Sequence, residues 1–454
     1  MPDFRNNKGA GYVDGRCLEH RLSDCMVDDG PLSPSPFPNP MDGGGQTAAA
    51  LAVPQDSNAN GANIPIPYGT IKNVGVSIAD FWDAVRSSAV HHRVQGRVDL
   101  LMPIGMGEIE SVDAIKIDGN NSSVWAAHFP VITSHTGAFS QAIDSHLDTY
   151  VSSWIQTLPG IAYLQLCART DTIVWDHLFK VLVDIKGMKR LWNPTTAAWT
   201  TAASSCPALI IADLLANKDY AAGFPSTHHE IVDATDRIDW ASVVTAQPDF
   251  ASAGWTFNAL MLRSAPMRSW IDTMRQHAPC WVFDNGETIK VVADKDAASS
   301  YTFYGVTGGA QHNSYLSGTA HWGWIDQSTR PDIVEVVWYD VADSNKQKTA
   351  SPTGARVANP NLSNVVRYDC PGCNNETMAN ALAVRAFRHL TLPIVEGSFD
   401  CKHPGLRLEK ADVITLNGYG GLPDGTKGRV MDFNSLGDFS YRITWRHHLA
   451  AVYA

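Results

Sequence analysis

The chain has 454 residues, which predicts about three structural units at roughly 150 residues each. Charged residues make up only 18 % of the chain, and the formal net charge is −11. This balance argues against a dedicated nucleic-acid-binding protein, because such proteins need a basic stripe for phosphates. The low share of charged residues and the 14 Trp indicate that much of the surface forms interfaces with other protein chains.

The sequence predicts neither a membrane span nor a secretory signal. Its longest apolar stretch, at 207–215, contains an Asp and is far shorter than the roughly 20 residues that a spanning helix needs. The first residues lack an apolar h-region. Eight Cys in a chain of this length are not typical of a disulfide scaffold. We therefore expect reduced thiols in a protein made in the cytoplasm of a cell.

Residues 1–63 differ in composition from the rest. Five prolines fall within residues 31–40, and glycine-rich and polar segments follow. Proline fixes an extended backbone and glycine loosens it, so this region is predicted to be an extended arm. It is either a disordered tail or a segment that becomes ordered on a neighbouring subunit. The second interpretation rests on apolar anchors at Cys17, Leu18, Leu22, Cys25, Met26 and Phe37.

Residues 64–205 have the sequence pattern of a β domain. The Pro-containing segment 64–69 is extended, because the residue before proline avoids the helical region. Apolar residues alternate along several later segments, which predicts short strands. These segments are 98–102, 114–117, 161–167 and 181–185, and a hairpin is expected between Trp192 and Trp199.

Residues 206–300 change to a mixed α/β pattern. An apolar stripe after Pro207 predicts a helix, and two further short helices are expected at 239–245 and 267–275. The segments 280–283 and 288–292 flank Asn285 and Gly286, a pair typical of a type I′ hairpin turn.

Residues 301–454 return to strands around a single helix. The helix is predicted from 376 to 389, with its apolar residues on one face. Strands are expected at 332–339, 413–416, 428–432 and 439–445.

A candidate metal site is formed by Cys370, Cys373, Cys401 and His403. A C-x-x-C pair can place two thiolates on one zinc ion, and a Cys and a His about thirty residues later could complete a tetrahedron. Such a site would be closed and structural. The alternative is a set of free or disulfide-linked cysteines in a turn.

Other candidate clusters fit no known site. Cys17, His20 and Cys25 match no zinc spacing, and adjacent histidines on a strand point to opposite faces. The histidine pairs are 91–92, 228–229 and 447–448. The acidic residues Glu108, Glu110, Asp113 and Asp118 are interpreted as solvated groups at strand edges. We identify no catalytic constellation and no phosphate-binding loop.

Five segments, in this order, resemble the phage tip attachment protein J family. Segment 64–75 is similar to its "P-x-x-Y-G" opening, and segment 106–119 to its "G-E-I-x-G-…-I-x-x-D-G" segment. Segments 192–223, 238–287 and 406–416 are similar to the regions that follow in that family. This sequence departs from the pattern at Ser111, at Ala222, and at Lys410 and Ala411. The resemblance covers about residues 64–454.

The resemblance implies the hub of a phage tail tip or baseplate. The expected fold is α+β and mainly β, with two tail-tube-like β-barrel hub domains at 64–205 and 301–454. A small interpolated α/β domain at 206–300 would decorate the outside, and the arm precedes residue 64. Three copies would form a ring that closes the tail tube and opens for DNA ejection.

The partners implied are the distal tail and tube proteins, the tape-measure protein, and tail fibre or spike proteins. The chain would lie at the distal end of the tail in the virion, without an enzymatic role and without specific nucleic-acid binding. No cofactor would be required, and a structural zinc is the only candidate. Two alternatives stay open. One is a tail-associated zinc-dependent or cell-wall-degrading enzyme, and the other is a receptor- or glycan-binding tail module.

Overall fold

The structure is a computed structural model, and the predicted arm (1–63), His91, His92 and His403 lie outside its described residues. No helix within the described part of the chain is long and apolar enough to cross a membrane. The described residues are 64–76, 80–83, 97–150, 157–169, 179–228, 236–261, 266–305, 315–316, 318–326, 328, 330–343, 346–358, 364–402 and 408–454.

The first unit is built from strands, as its alternating sequence predicts. Its elements are β1 (Ile66–Tyr68), β2 (Thr70–Val76), β3 (Asp80–Asp83), β4 (Arg97–Met106), β5 (Ile109–Ile117), β6 (Asn120–Asn121), β7 (Val131–Thr136), α1 (Ser145–Tyr150), β8 (Ile161–Arg169), β9 (Val181–Met188), β10 (Trp192–Asn193) and β11 (Ala198–Trp199). The expected hairpin is confirmed, since β10 pairs with β11 and Trp192 lies opposite Trp199.

Two antiparallel sheets of this unit face one another. The order of one is β2-β9-β5-β6 and that of the other is β3-β4-β8-β7. Alternate residues such as Val183 and Ile185 on β9, and Leu164 and Leu166 on β8, fill one common core. Within the described residues both sheets are open, so closure into a tail-tube-like barrel stays a prediction.

The second unit packs three helices against a hairpin. Its elements are α2 (Pro207–Ala216), α3 (Trp240–Ala253), β12 (Ala259–Met261), α4 (Met267–His277), β13 (Cys280–Asp284) and β14 (Ile289–Ala293). All ten residues of α2 are buried. Helix α3 begins where the Asp239 side chain accepts the amide of Ser242, and it ends at Gly254 with a positive φ of 72°, as a left-handed helix cap requires.

The third unit combines a large sheet with a small helix-covered one. Its elements are β15 (Tyr301–Tyr304), β16 (His321–Trp324), β17 (Ile333–Asp340), β18 (Lys346–Ala350), β19 (Val365–Asp369), α5 (Glu376–Thr391), β20 (Val395–Cys401), β21 (Val413–Asn417), β22 (Thr426–Gly437) and β23 (Ser440–His447). The six-stranded sheet has the order β15-β21-β22-β23-β20-β16, and β18-β17-β19 form the smaller sheet.

Aromatic side chains form the core of the six-stranded sheet. Phe303, Phe399 and Trp445 are fully buried there, and the ring centroids of Phe303 and Phe399 are 4.8 Å apart. The smaller sheet packs on α5 through an aliphatic core of its own. The α+β, mainly β fold class is therefore observed, and the third unit contains a compact α/β part between β16 and β20.

The second unit shares its core with its neighbours. Strand β1 of the first unit pairs with β12, with Ile66 opposite Met261, and Ile66 and Tyr68 belong to the same buried cluster as α2 and α4. On the other side, Trp281 and Phe283 of β13 pack against Ala411 and Met431. Within one chain, residues 206–300 therefore lie between the two β units and contact both.

Candidate functional site

Buried polar groups are concentrated where the second unit meets its neighbours, and this junction is the candidate functional site. The first contact joins β1 to α2. Tyr68 Oη donates to Asp213 Oδ2 at 2.6 Å, and Tyr220 Oη donates to the same oxygen at 2.7 Å. Burial is the main cause that raises the pKa of both phenols well above the usual value, and the nearby Asp213 carboxylate is the second. Both tyrosines are therefore fixed as hydrogen-bond donors.

The backbone conformation at Gly69 explains why the "P-x-x-Y-G" motif ends in glycine. Its φ is +69°, a left-handed conformation that a residue with a Cβ adopts at a cost. A Cβ at this position would also collide with the Asn258 side chain. That side chain accepts the Thr70 amide at 2.9 Å, so the glycine allows the first unit to approach the second closely.

The Cys370–Cys373 turn forms a second contact, between the third unit and α4. The amide of Gly372 donates to His277 Nε2 at 2.7 Å, and His277 Nδ1 donates to the carbonyl of Thr273 at 2.7 Å. Burial lowers the pKa of His277 to about 4, so the ring is neutral at pH 7. A neutral imidazole with one donor and one acceptor nitrogen satisfies both groups.

The thiols of this turn are engaged with backbone carbonyls. Cys370 Sγ lies 3.6 Å from the carbonyl oxygen of Gln276, and Cys373 Sγ lies 3.4 Å from that of Asn375. Burial raises the pKa of Cys373 to about 12, and burial together with Cys373 raises that of Cys370 well above its usual value. Without a metal, both thiols are protonated at neutral pH.

A third contact surrounds Asp294 at the end of β14. Arg385 Nη2 of α5 donates to Asp294 Oδ2 at 2.8 Å, and Tyr453 Oη donates to Oδ1 at 3.2 Å. Arg429 Nη2 lies 3.7 Å from the same Oδ1. Burial opposes ionisation of Asp294, but Arg429 and Arg385 outweigh it and hold the pKa of the carboxyl below its usual value. Two permanent cations thus neutralise one buried anion.

A cleft of about 590 Å³ opens beside this ionic contact. It lies between α3, α5 and residues 452–454, and its charged lining includes Asp249, Lys295, Arg385 and Arg388. Lys295 Nζ pairs with Asp249 at 2.8 Å, and the Arg388 guanidinium donates to the carbonyl of Ala454. The lining charges are therefore of both signs and largely engaged with one another.

The predicted zinc ligands are only partly brought together. Cys370 and Cys373 share one core with α5, whereas Cys401 belongs to the aromatic core of the six-stranded sheet. His403 lies outside the described residues. The four-ligand zinc site therefore stays a prediction.

The four acidic residues of the first unit have separate partners. Glu108 pairs with Lys189 at 2.8 Å and Glu110 with Lys186 at 3.2 Å. Asp113 accepts from the hydroxyl of Ser111, and Asp118 accepts the amide of Lys180. They act as individual pairs and turn contacts along the sheet.

The histidine pairs are likewise divided among different environments. His228 stacks on Trp192, with ring centroids 4.0 Å apart, and its neighbour His229 is outside the described residues. His448 Nε2 lies 2.9 Å from Asp296 Oδ1. Burial lowers the pKa of both His447 and His448.

Sequence reasoning missed Asp213 and Asp294 as junction residues. Asp213 left a signal, since it is a lone carboxylate in the apolar run that forms α2, and a buried acid needs partners. No feature of the sequence distinguishes Asp294, because it follows a strand as many surface acids do. Its partners Arg385, Arg429 and Tyr453 are between 91 and 159 positions away along the chain.

No family model matches the chain, and no curated protein matches it. Among solved structures, a chain from the virion of a native gene transfer agent particle aligns with a TM-score of 0.61 at 10 % identity, covering 93 % of each chain. A tail protein from Neisseria meningitidis MC58 aligns with a TM-score of 0.32 at 11 % identity, covering 84 % of this chain and 97 % of that one. The 43 kDa tail protein of prophage MuSo2 from Shewanella oneidensis has a TM-score of 0.30 at 9 % identity, with 85 % and 96 % covered. The first similarity shows that this chain shares its fold with a chain of that virion.

Proposed function

We propose that this protein is a structural component of a phage tail, and that it serves as the hub of the tail tip. The single observation that carries the proposal is the alignment over 93 % of both chains with a gene transfer agent virion protein. Five sequence segments in the order of the tip attachment protein family support the narrower assignment to the hub. One line of support uses backbone geometry, and the other uses motif order.

In the proposed assembly, three copies form a ring that continues the tail tube. Each copy would contribute two tail-tube-like domains, from residues 64–205 and 301–454, so three copies match a six-fold tube. The two open sheets of the first unit and the six-stranded sheet of the third would close or pair within the ring. Distal tail proteins would bind above, with fibres or spikes outside and the tape-measure protein within.

The proposed role is mechanical and not enzymatic. The second unit touches both β units through buried hydrogen bonds at Asp213 and His277 and an ion pair at Asp294. Buried polar contacts of this kind have directional geometry, so displacement of one unit is transmitted to the next. A push from attached fibres would thereby reach the ring and open the lumen. The net charge of −11 suits a channel that passes DNA without retaining it.

Quantitative mass spectrometry of purified particles tests this proposal. We expect three copies of this chain per particle, which is half the number of subunits in one six-fold ring of the tube. Particles that lack the chain would contradict any tail role. Two or six copies per ring would contradict the trimeric hub while leaving a tail role intact.

A separate assay addresses the enzymatic alternative. The full-length chain is incubated with purified peptidoglycan, with and without added zinc, and soluble fragments are measured. We expect no release above that of a heat-denatured sample. Zinc-dependent release of fragments would overturn the non-enzymatic assignment.

The N-terminal arm is assigned to assembly. Deleting residues 1–63 should leave residues 64–454 folded but should reduce incorporation into particles, because the arm would bind a neighbouring subunit. Normal incorporation of the truncated chain would show that the arm is dispensable.

A further inference from the structure

The outer face of the β3-β4-β8-β7 sheet carries a buried polar cluster. Residues on one face of this sheet, such as Leu100 and Leu166, fill the core of the first unit. The alternate residues Asp99 and Cys167 point to the opposite face, and they are direct partners in the pairing of β4 with β8. Directly opposed residues have Cβ atoms about 4.5–5.5 Å apart, so the sheet itself holds the carboxylate beside the thiol.

Helix α1 adds a histidine to this pair. Asp144 starts the helix, since its Oδ1 accepts the amides of His146 and Leu147, each at 2.9 Å. Leu147 is fully buried against Leu101 and Tyr163, which fixes the helix on the sheet. His146 Nε2 then lies 2.9 Å from Asp99 Oδ1.

We propose that Asp99, His146 and Cys167 bind a zinc ion. One ligand atom from each residue lies within 4.8 Å of the other two. Tetrahedral zinc with bonds of 2.0–2.3 Å separates its ligand atoms by roughly 3.4–3.6 Å, so the cluster accommodates the ion with small side-chain shifts. A thiolate, an imidazole and a carboxylate together suit zinc and disfavour calcium or magnesium. Three protein ligands leave one position for a water molecule.

Surrounding hydrogen bonds orient the proposed ligands. Gln165 Nε2 donates to Asp99 Oδ1 at 2.9 Å, and Gln165 Oε1 lies 3.1 Å from Thr133 Oγ1. The Thr133 hydroxyl also lies 2.8 Å from Asp144 Oδ2, the carboxylate that caps the histidine helix. Such outer contacts commonly set the orientation of zinc ligands and contribute to affinity.

The three ligands are buried, so we assign the site a structural role even though a water molecule would take the fourth zinc position. Cys167 is 0 % and Asp99 2 % exposed, which leaves no approach for a substrate. When zinc binds, the Cys167 thiol loses its proton to the buffer. The charge of the ion then balances the thiolate and the carboxylate, which would be costly to bury unpaired. Zinc would thereby fasten α1 and the segment before it to the sheet, whatever the role of the whole chain.

Metal content of the full-length chain tests this inference. After gel filtration in buffer containing a weak chelator, elemental analysis should find about one zinc per chain at this site. Cys167→Ser and His146→Gln should each lower the content by that one ion. Cys206→Ser is the matched control, since Cys206 is a half-buried thiol at the start of α2, and it should retain the zinc. Unchanged zinc in Cys167→Ser would overturn the inference.

The same series separates this site from the one predicted at Cys370, Cys373, Cys401 and His403. The Cys373→Ser variant should keep the zinc assigned to Asp99, His146 and Cys167. Loss of all zinc in Cys373→Ser, with full retention in Cys167→Ser, would contradict our inference and favour the other site.

Cobalt provides a test that does not depend on the folding of the Cys167 variant. In the Cys373→Ser background, Co²⁺ in place of zinc should give a thiolate-to-cobalt charge-transfer band with the intensity of a single thiolate. Absence of this band in folded protein would overturn the inference.

Discussion

The contact around Asp294 and the cluster around Asp99 both bury a carboxylate, yet they balance its charge differently. Asp294 faces Arg385 at 2.8 Å and Arg429 at 3.7 Å, and arginine is charged at every pH of interest. Asp99 faces a neutral glutamine, together with a histidine and a cysteine whose charges depend on protons or on a bound ion. The first region should therefore be stable without additives, whereas the second should respond to metal.

The largest effect is expected at the permanently charged contact. Asp294→Asn keeps the size of the side chain but leaves Arg385 and Arg429 without their counter-charge. Breaking a buried ion pair in this way costs about 3–5 kcal/mol. Urea unfolding followed by tryptophan fluorescence measures the change, and added zinc should not alter it.

Asp249→Asn is the matched control for that experiment. It removes an ion pair of 2.8 Å with Lys295, whose side chain is 53 % exposed. A surface pair contributes at most about 1 kcal/mol. Equal losses in the two variants would contradict the assignment of Asp294 as a buried junction.

The second effect is a loss of stability in acid at the Cys370–Cys373 turn. The pKa of His277 is about 4 in the folded chain and about 6.5 when unfolded. Because the unfolded chain binds this proton more tightly, stability is lost as pH falls from about 6.5 to 4, by up to about 3 kcal/mol. Across this range, the free energy of unfolding should depend less steeply on pH in His277→Gln than in the wild type.

His389 gives the pH experiment an internal reference. Burial also lowers its pKa, to about 3, so part of the acid dependence should persist in His277→Gln. An identical pH dependence in the variant and the wild type would show that His277 is not a neutral hydrogen-bonding link.

The third effect concerns the metal-dependent cluster. Zinc at 100 times its dissociation constant should stabilise the chain by about 2.7 kcal/mol. In the Cys373→Ser background, a strong chelator should therefore lower the melting temperature of the chain but not that of a variant that also carries Asp99→Asn. If both proteins respond alike to the chelator, the comparison between the two carboxylates is wrong.

The smallest effect is expected at Gly69. Gly69→Ala places a Cβ at a φ of +69° and against the Asn258 side chain, so strain and collision together should cost about 2 kcal/mol. Gly119→Ala has a similar φ of +79° and no atom within 4 Å of the new Cβ. It should cost only the strain, about 1 kcal/mol. Equal melting temperatures of the two variants would contradict the close packing of the first two units.

Local patterns predicted the individual elements well. The helix predicted at 376–389 is observed at Glu376–Thr391, with Asn375 capping its first turn, since an apolar face repeats at helical spacing. The hairpin at 280–292 is also observed, but the type I′ turn was wrong. Asp284 pairs with Ile289, so the loop has four residues, and Asn285 instead uses its side chain to accept the Thr288 amide at 2.9 Å.

Long-range contacts could not be predicted from local sequence patterns. β1 pairs with β12, in a different unit, and Asp99 and Cys167 meet only because β4 and β8 are paired in one register. Register depends on the whole sheet and its packing, and local sequence does not contain it. Tyr68 and Tyr220 lie in two different segments of the family resemblance, and only the three-dimensional structure shows that both donate to Asp213.

The central claim is a hub at the distal end of a phage tail, and immunogold electron microscopy of intact particles tests it most directly. An antibody against this chain should label only the distal tip of the tail. Averaged images of the same particles should show a three-fold ring there. Label along the tube or on the head, or particles without label, would contradict the account.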